Sequence, residues 1–260
     1  MNRISIVTIC YNNKIDLIKT INSIDAQDQP PYEHWIIDGS SNSEINDYLN
    51  SAEQPSFRYW LFERDLGISD AFNKGIQHST GDILQFLNSG DVLYDSSVLA
   101  LVTRVFNDHP DIRWCHGIIN LFRGGHWVLI GKPFESGKLY RGMRATFHPT
   151  IFVRKELFQS AGLFDLSLTI AMDYDFLARI KNEPFYFIPK PIASMDPGGI
   201  SNSKYLTALK EIRMVYTKYF GYSLKLSIWQ MRLKLLHYLI TSRVGHVLYS
   251  IKKTMGLENI

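Results

Sequence analysis

The sequence predicts an α/β fold built on a mainly parallel sheet with helices on both faces. Three observations predict it: short apolar, β-branched runs recur along the first half of the chain, segments of helical period lie between them, and each run ends in a polar or acidic turn.

Ile4 to Cys10 is almost wholly apolar, as a strand covered on both faces must be. After Tyr11-Asn12-Asn13, the residues Leu17, Ile18, Ile21 and Ile24 recur at helical spacing, giving a strand-turn-helix unit. Trp35-Ile36-Ile37 reads as a second strand ending at Asp38, Phe57 to Phe62 as a third and Ile83 to Leu87 as a fourth. Helical periods lie between or after them at Ile68, Ala71, Phe72 and Ile76, then at Val98, Leu101, Val102, Val105 and Phe106. From about Arg113 the texture changes. Trp114 to Phe122, the turn Arg123-Gly124-Gly125-His126 and Trp127 to Ile130 predict an antiparallel hairpin, so the second half is mixed. Tyr174 to Ile180 reads as helical. Past Gly221, Leu224, Ile228, Met231, Leu235 and Leu239 step by three or four with Lys225, Arg232 and Lys234 between them, which predicts a basic amphipathic helix.

The 260 residues, 45% hydrophobic and 20% charged, suffice for one globular domain with a small appendage. A formal charge of +3 is too weak a bias for a nucleic-acid partner. The cationic excess sits in the tail: Ile212 to Leu257 holds eight Lys or Arg and no Asp or Glu. Such a tail suits an anionic lipid surface, where each cation contributes about 1 kcal/mol; the competing reading is a stripe packed on the domain with its cations solvated. Cys10 and Cys115 are the only cysteines, and Cys10 ends a buried strand, so the expectation is no disulfide and a reducing cytoplasm. The apolar part of the N-terminus is too short for a secretory signal, and no run reaches the roughly 18 to 20 apolar residues that cross a bilayer.

Ligands of an open parallel sheet bind beyond the carboxyl ends of its strands. Those ends supply Thr8 with Tyr11-Asn12, Asp38-Gly39-Ser40-Ser41, Arg64-Asp65 and Asn88-Ser89-Gly90-Asp91. Tyr11-Asn12-Asn13 is not the glycine-rich turn that lets a backbone approach a dinucleotide, which disfavours hydride transfer. An acidic edge suits a diphosphate that arrives with Mg2+ or Mn2+, with Asp91 as the metal ligand, Asp38 accepting from a base N–H and Tyr11 stacking on the base. Each residue also has a plainer reading. Asp38 and Asp91 suit turns, Thr8 and Tyr11 suit a strand end, Asp65, Asp70 and Asp173 suit helix starts, His148 suits a core, and Gly198-Gly199 suits a turn.

The series Ser5-Ile6-Val7-Thr8 with Tyr11-Asn12, Asp38-Gly39-Ser40-Ser41, Asp65 to Gly75 and Leu87-Asn88-Ser89-Gly90-Asp91 resembles the family-two inverting glycosyltransferases. The resemblance continues at His148-Pro149-Thr150-Ile151-Phe152, Met172-Asp173-Tyr174-Asp175-Phe176 and Gly198-Gly199-Ile200-Ser201. It spans roughly residues 4 to 202 with the motifs in the family's order, and in texture it is similar to bacterial enzymes of colanic-acid, capsule and O-antigen assembly. It implies the GT-A nucleotide-diphospho-sugar transferase fold. It further implies that Thr8, Tyr11, Asp38 and Asp65 hold the uridine of a UDP-sugar, that Asp70, Asn88, His148, Gly199 and Ser201 line the donor site, that Asp91 binds Mg2+ or Mn2+, and that Asp173 is the catalytic base. The sequence departs from the family pattern at Asn88 and Gly90, where Asp is common, and at Met172, where an acidic or small polar residue often stands. Mg2+ often takes only one or two protein carboxylates, so Asp91 alone is compatible with a metal site.

The resulting expectation is a transferase domain over residues 1–218, with a nucleotide-sugar half (1–112) and an acceptor half (113–218), and a helical membrane-surface appendage over 219–260. Its expected activity is metal-dependent, inverting transfer of a sugar to a lipid-linked or other saccharide in cell-surface polysaccharide synthesis, on the inner face of the cell membrane. A transferase-like scaffold of an assembly complex and a sugar nucleotidyltransferase stand as alternatives.

Overall fold

The computed structural model describes residues 2–123, 125–144, 146–195 and 204–242. The chain opens with β1 (Ile4–Cys10), α1 (Lys14–Asp25), β2 (Glu33–Asp38), α2 (Glu44–Ser51), β3 (Arg58–Phe62), α3 (Ile68–His78) and β4 (Ile83–Phe86). β1 pairs in parallel with both β2 and β4, and β2 with β3. This is the predicted strand-helix alternation, each boundary falling within a residue or two of its apolar run.

Neighbouring α3 and β1 approach closely because Gly75 lacks a side chain; a Cβ there would lie 2.2 Å from Val7 Cγ1. Val7, Leu84 and Phe86 share that face with Ala71, Phe72 and Ile76, and with the rings of Phe158, Phe164 and Phe176. On the opposite face Ile4, Ile6 and Ile83 pack with Ile24, Val98, Val102 and Phe106. Strands β1, β2 and β4 are therefore buried on both faces, which is why their sequences read as apolar runs rather than alternating ones, whereas the edge strand β3 leaves Tyr59 and Phe62 exposed.

The remainder comprises β5 (Val92–Leu93), α4 (Val98–Asp108), β6 (Trp114–Arg123), β7 (His126–Ile130), β8 (Phe152–Arg154), α5 (Glu156–Ala161), α6 (Met172–Arg179), β9 (Phe185–Met195), α7 (Tyr205–Phe220) and α8 (Leu224–Thr241), with 3-10 turns at Ser136–Arg141 and His148–Thr150. The nine strands form one sheet in the order β3-β2-β1-β4-β8-β6-β9-β5, with β7 hydrogen-bonded to β6 as the predicted hairpin. It is parallel over its first four strands and mixed beyond, since β8 runs antiparallel to both β4 and β6. Pro189 and Pro191 lack the N–H that a ladder needs, and the β6–β9 register slips opposite them, between Gly117 and Ile119.

One expectation, for Thr8, and one competing reading, for the tail helix, are revised. The side chain of Thr8 is fully buried within the sheet, its Oγ1 2.9 Å from His34 Nε2, so only its backbone lies near the strand end. In α8 the stripe of Leu224, Ile228, Met231, Leu235 and Leu239 does not pack on the domain; each of the five is at least half exposed. Leu226, Gln230 and Leu233 face inward instead, and Gln230 Nε2 donates to Leu209 O at 2.7 Å. The helix is apolar on more than one side, so periodicity alone did not fix which side meets the domain. Cys10 and Cys115 are buried free thiols, and no helix among the described residues is long and apolar enough to cross a membrane.

Candidate active site

The turns after β1 and β2 are sewn together. Asn12 adopts a left-handed φ of 51°, its N–H donates to Ser40 Oγ at 2.8 Å, and its side-chain oxygen accepts from Ser41 N at 3.2 Å. Ser40 N in turn donates to Asp38 Oδ1 at 3.0 Å. Asp38 Oδ2 is buried without a hydrogen-bond partner among the described residues. An orphaned buried carboxylate oxygen is uncommon and points to a donor supplied by a ligand. The half-buried Asp65 closes on the same turn, where a Cβ at Gly39 would sit 1.9 Å from Asp65 Oδ2. Tyr11 stands beside them, 62% exposed. Asp70, by contrast, is spent locally: it accepts from Leu66 N at 3.0 Å and lies 3.7 Å from Lys74 Nζ.

The turn after β4 is held by α1. Thr20 Oγ1 donates to Asp91 O at 2.8 Å and accepts from Gly90 N at 2.9 Å, with Gly90 at a φ of 103° that favours glycine. This presents the nearly buried Asp91 carboxyl to the cleft. Burial without a counter-charge pushes its pKa up to about 8, against an opposing backbone hydrogen bond from Asn88.

His148 comes from the 3-10 turn before β8, a turn anchored to β4 where Gln85 Nε2 donates to Pro149 O at 2.8 Å. Its ring stands between two carboxyl groups: Nε2 lies 3.7 Å from Asp91 Oδ2, and Nδ1 lies 3.8 Å from Asp173 Oδ2. Asn88 Nδ2 donates to Nε2 at 2.9 Å, which leaves the ring proton on Nδ1, facing Asp173. Burial drives the imidazole pKa down to about 4, so the ring is neutral near pH 7 and neither contact is an ion pair. Asn88 Oδ1 and Ser89 Oγ, both buried, find no partner among the described residues.

Asp173 lies in the first turn of α6, where Tyr174 N donates to its Oδ1 at 2.7 Å. Burial raises its pKa to about 6; hydrogen bonds from the Tyr174 N–H and its own N–H oppose this, and the charge of Glu211 adds to it. Glu211, on α7, holds the entry to α6. Its Oε1 accepts from Thr169 N at 3.1 Å and Thr169 Oγ1 at 2.6 Å, and its Oε2 from Ile170 N at 2.9 Å and Ala171 N at 2.8 Å. No local motif marks Glu211, because its partners lie some forty residues earlier. Asp175 faces away, paired with Arg179 at 3.0 Å and accepting from the Tyr219 hydroxyl at 3.0 Å. Gly199 and Ser201 lie outside the described residues.

Asp38, Asp65 and Tyr11 thus meet at one end of the edge, and Asn88, Asp91, His148 and Asp173 at the other. Residues 5–159 match the family described as Glycosyl transferase family 2. The chain belongs to glycosyl transferase family 2. It is 34% identical over 179 residues to an uncharacterized glycosyltransferase of Mycobacterium tuberculosis, covering 68% of each chain. A PGL/p-HBAD biosynthesis glycosyltransferase of Mycobacterium bovis is 29% identical over 206 residues, 76% of this chain and 79% of that one. Two solved structures share the fold at low identity. TarS 1-349 of S. aureus in complex with UDP-GlcNAc superposes with a TM-score of 0.62 at 16% identity, covering 94% of this chain and 74% of that one. The mannosyltransferase PcManGT of Pyrobaculum calidifontis, solved with GDP-Man and Mn2+, gives 0.63 at 14%, covering 98% and 81%. The architecture is therefore that of the GT-A glycosyltransferases.

The transferase has a donor set that fits a hard divalent cation. Among the described residues Asp91 is a desolvated carboxyl lacking a positive partner, and Asn88 Oδ1 beside it is an unused oxygen. Among the described residues no group of three or more His, Cys, Asp or Glu is placed to hold a metal. The protein would supply a minority of an octahedral shell, leaving the rest to phosphate oxygens and water.

Proposed function

We propose that this transferase moves a sugar from a UDP-sugar to a hydroxyl of a lipid-linked saccharide, with inversion at the anomeric carbon, at the inner face of a membrane. The observation that carries the proposal is the placement of Asp91 and Asp173 on the two nitrogens of one imidazole, within a single cleft beyond the parallel strands. The ligands bound in the two fold neighbours, UDP-GlcNAc in one and GDP-Man with Mn2+ in the other, support a nucleotide-sugar donor. The likeness to a PGL/p-HBAD biosynthesis glycosyltransferase supports a role in the assembly of a larger glycoconjugate, for which we take the acceptor to be lipid-linked.

In this reading Asp38 Oδ2 accepts a base N–H, Tyr11 stacks on the base and Asp65 completes the nucleoside pocket. Asp173 takes the proton of the acceptor hydroxyl as its oxygen attacks the face opposite the nucleotide, so inversion follows from a single displacement. A pKa near 6 keeps Asp173 ionised at neutral pH yet makes it more basic than an exposed carboxylate. His148, being neutral, separates it from Asp91 without quenching either. A divalent ion held by Asp91 with Asn88 would offset charge on the departing diphosphate. Residues 1–112 serve the donor, 113–218 the acceptor and 219–260 the membrane surface.

A calorimetric and product assay tests the reading. UDP should bind in the presence of Mn2+, Asp91→Ala should abolish the Mn2+-dependent part, and Asp173→Asn should lower transfer by about 10²–10⁴-fold with UDP binding intact. Release of pyrophosphate in place of UDP, or full activity in Asp173→Asn, would overturn it.

A further inference from the structure

A second cavity, of about 380 Å3, opens beside the cleft between the β6–β7 hairpin, the Ser136–Arg141 turn and α6. Its connection to the site is direct. Leu177 lines it one helical turn after Asp173, Thr146 lines it two residues before His148, and the Tyr174 hydroxyl donates to Leu139 O at 2.8 Å. The floor is apolar, formed by Phe134, Leu139, Met143 and Leu177, whereas the rim carries Lys132, Lys138, Arg141 and Arg144 against the single acid Glu135.

Glu135 is already used, since its Oε1 pairs with Lys138 at 2.6 Å. No carboxylate of the described residues lies within ion-pair distance of Lys132, Arg141 or Arg144. Arg141 and Arg144 instead gather over the Trp229 ring of α8, their guanidinium carbons 5.3 and 5.2 Å from its centroid, and Arg232 joins them at 5.5 Å. Cation–π attraction offsets part of the repulsion among three like charges, but one indole cannot neutralise three guanidiniums. Trp229 Nε1 is itself a buried donor with no acceptor among the described residues. Every unsatisfied group named here is a donor or a cation. On the same helix Ile228, Met231 and Leu235 present more than half of their surface to solvent.

From this arrangement we propose that the cavity and its arginine cluster bind the phosphate or diphosphate that joins the acceptor saccharide to its lipid, with the chain running along the exposed apolar face of α8. The guanidiniums and the indole N–H take the phosphate oxygens, and the saccharide beyond them reaches Asp173. This rests on the reading that the acceptor is lipid-linked, and it adds where and by which groups the link is held.

The test is a calorimetric titration of the full chain with farnesyl diphosphate, with and without saturating UDP and Mn2+, beside inorganic diphosphate and farnesol. Farnesyl diphosphate should bind without competition from UDP, and at least about tenfold more tightly than either comparator. Arg141→Gln with Arg144→Gln should weaken it by about tenfold or more, and the matching lysine pair should recover part of the loss. These side chains are exposed, so an unchanged Tm and unchanged UDP binding will show that the variants are folded. Equal affinity of the wild type and the glutamine pair, or displacement by UDP, would overturn the proposal. So would an effect of the glutamine pair confined to sedimentation with anionic vesicles, which would assign the cluster to bilayer headgroups. If UDP fails to bind the wild type, the donor reading falls, while the farnesyl diphosphate result still decides this one.

Discussion

The two halves of the cleft leave opposite polar groups unsatisfied. At the donor edge, side chains and turns hydrogen-bond one another through Asn12, Ser40, Ser41 and Thr20, and what remains among the described residues is acceptor oxygen on Asp38 and Asn88 with the Ser89 hydroxyl beside them. Around α6 to α8 the balance reverses. The carboxylate of Glu211 is used by three backbone N–H groups and the Thr169 hydroxyl, and what remains among the described residues is donor and cation at Trp229, Arg141, Arg144 and Lys132. One end is complementary to hydrogen-bond donors and cations, the other to an anion. Since buried polar groups are normally paired, each surplus describes what is expected to fill it.

The largest effect should come from the carboxyl that faces both ends. Asp173 has a pKa raised to about 6, so its native state favours the protonated form relative to the unfolded chain. Its contribution to stability is present at low pH and is lost as pH rises through about 6. Asp173→Asn should therefore be about as stable as the wild type near pH 4 and more stable by about 2–3 kcal/mol above pH 7, while wild-type transfer falls as pH drops through 6. Denaturant titrations at the two pH values check the sign. A gap that shrinks toward high pH would show that Asp173 is not held in a desolvated site.

The donor edge can be broken with a single methyl group. Gly39→Ala places a Cβ where Asp65 Oδ2 now sits, so Asp65 must swing away and give up its 2.9 Å bond from Gly67 N. UDP binding should weaken by about tenfold to a hundredfold, the worth of a charged hydrogen bond of about 1.5–3 kcal/mol. In an Asp65→Ala background the same change should do little. Full additivity of the two substitutions would separate Gly39 from Asp65.

On the acceptor side, Glu211→Gln sets an NH2 group against backbone N–H groups that now meet a carboxylate oxygen. The start of α6 should loosen and transfer kcat fall about tenfold, with the donor KM unchanged. A rise in donor KM at constant kcat would remove Glu211 from the positioning of Asp173. Its importance could not be read from the sequence, since the signal lies in a pairing between α7 and a loop some forty residues upstream. Strands β1, β2 and β4 were legible for the converse reason: burial on both faces leaves a mark in nearly every residue. Thr8 misled because strand alternation turns it toward His34, and β9 went unread because Pro189 and Pro191 interrupt its pattern. The cleft was visible as motifs; the order Asp91, His148, Asp173 across it was not.

The smallest effect concerns α8, whose periodic apolar stripe was legible while its orientation was not. The helix buries Leu226, Gln230 and Leu233, so deleting it would uncover the domain and confuse membrane binding with folding. Substitution on the outward stripe avoids this. Leu235 and Leu239 are 64% and 50% exposed, and Leu235→Glu with Leu239→Glu should leave Tm within about 1 °C, because exposed sites seldom shift stability by more than ~0.5 kcal/mol. Sedimentation with anionic vesicles should fall several-fold, since two apolar contacts are lost and two like charges face the lipid. UDP binding, at the far end of the contrast, should not change. Undiminished sedimentation would mean that the outward stripe of α8 meets no membrane and that the exposed leucines answer to a different partner.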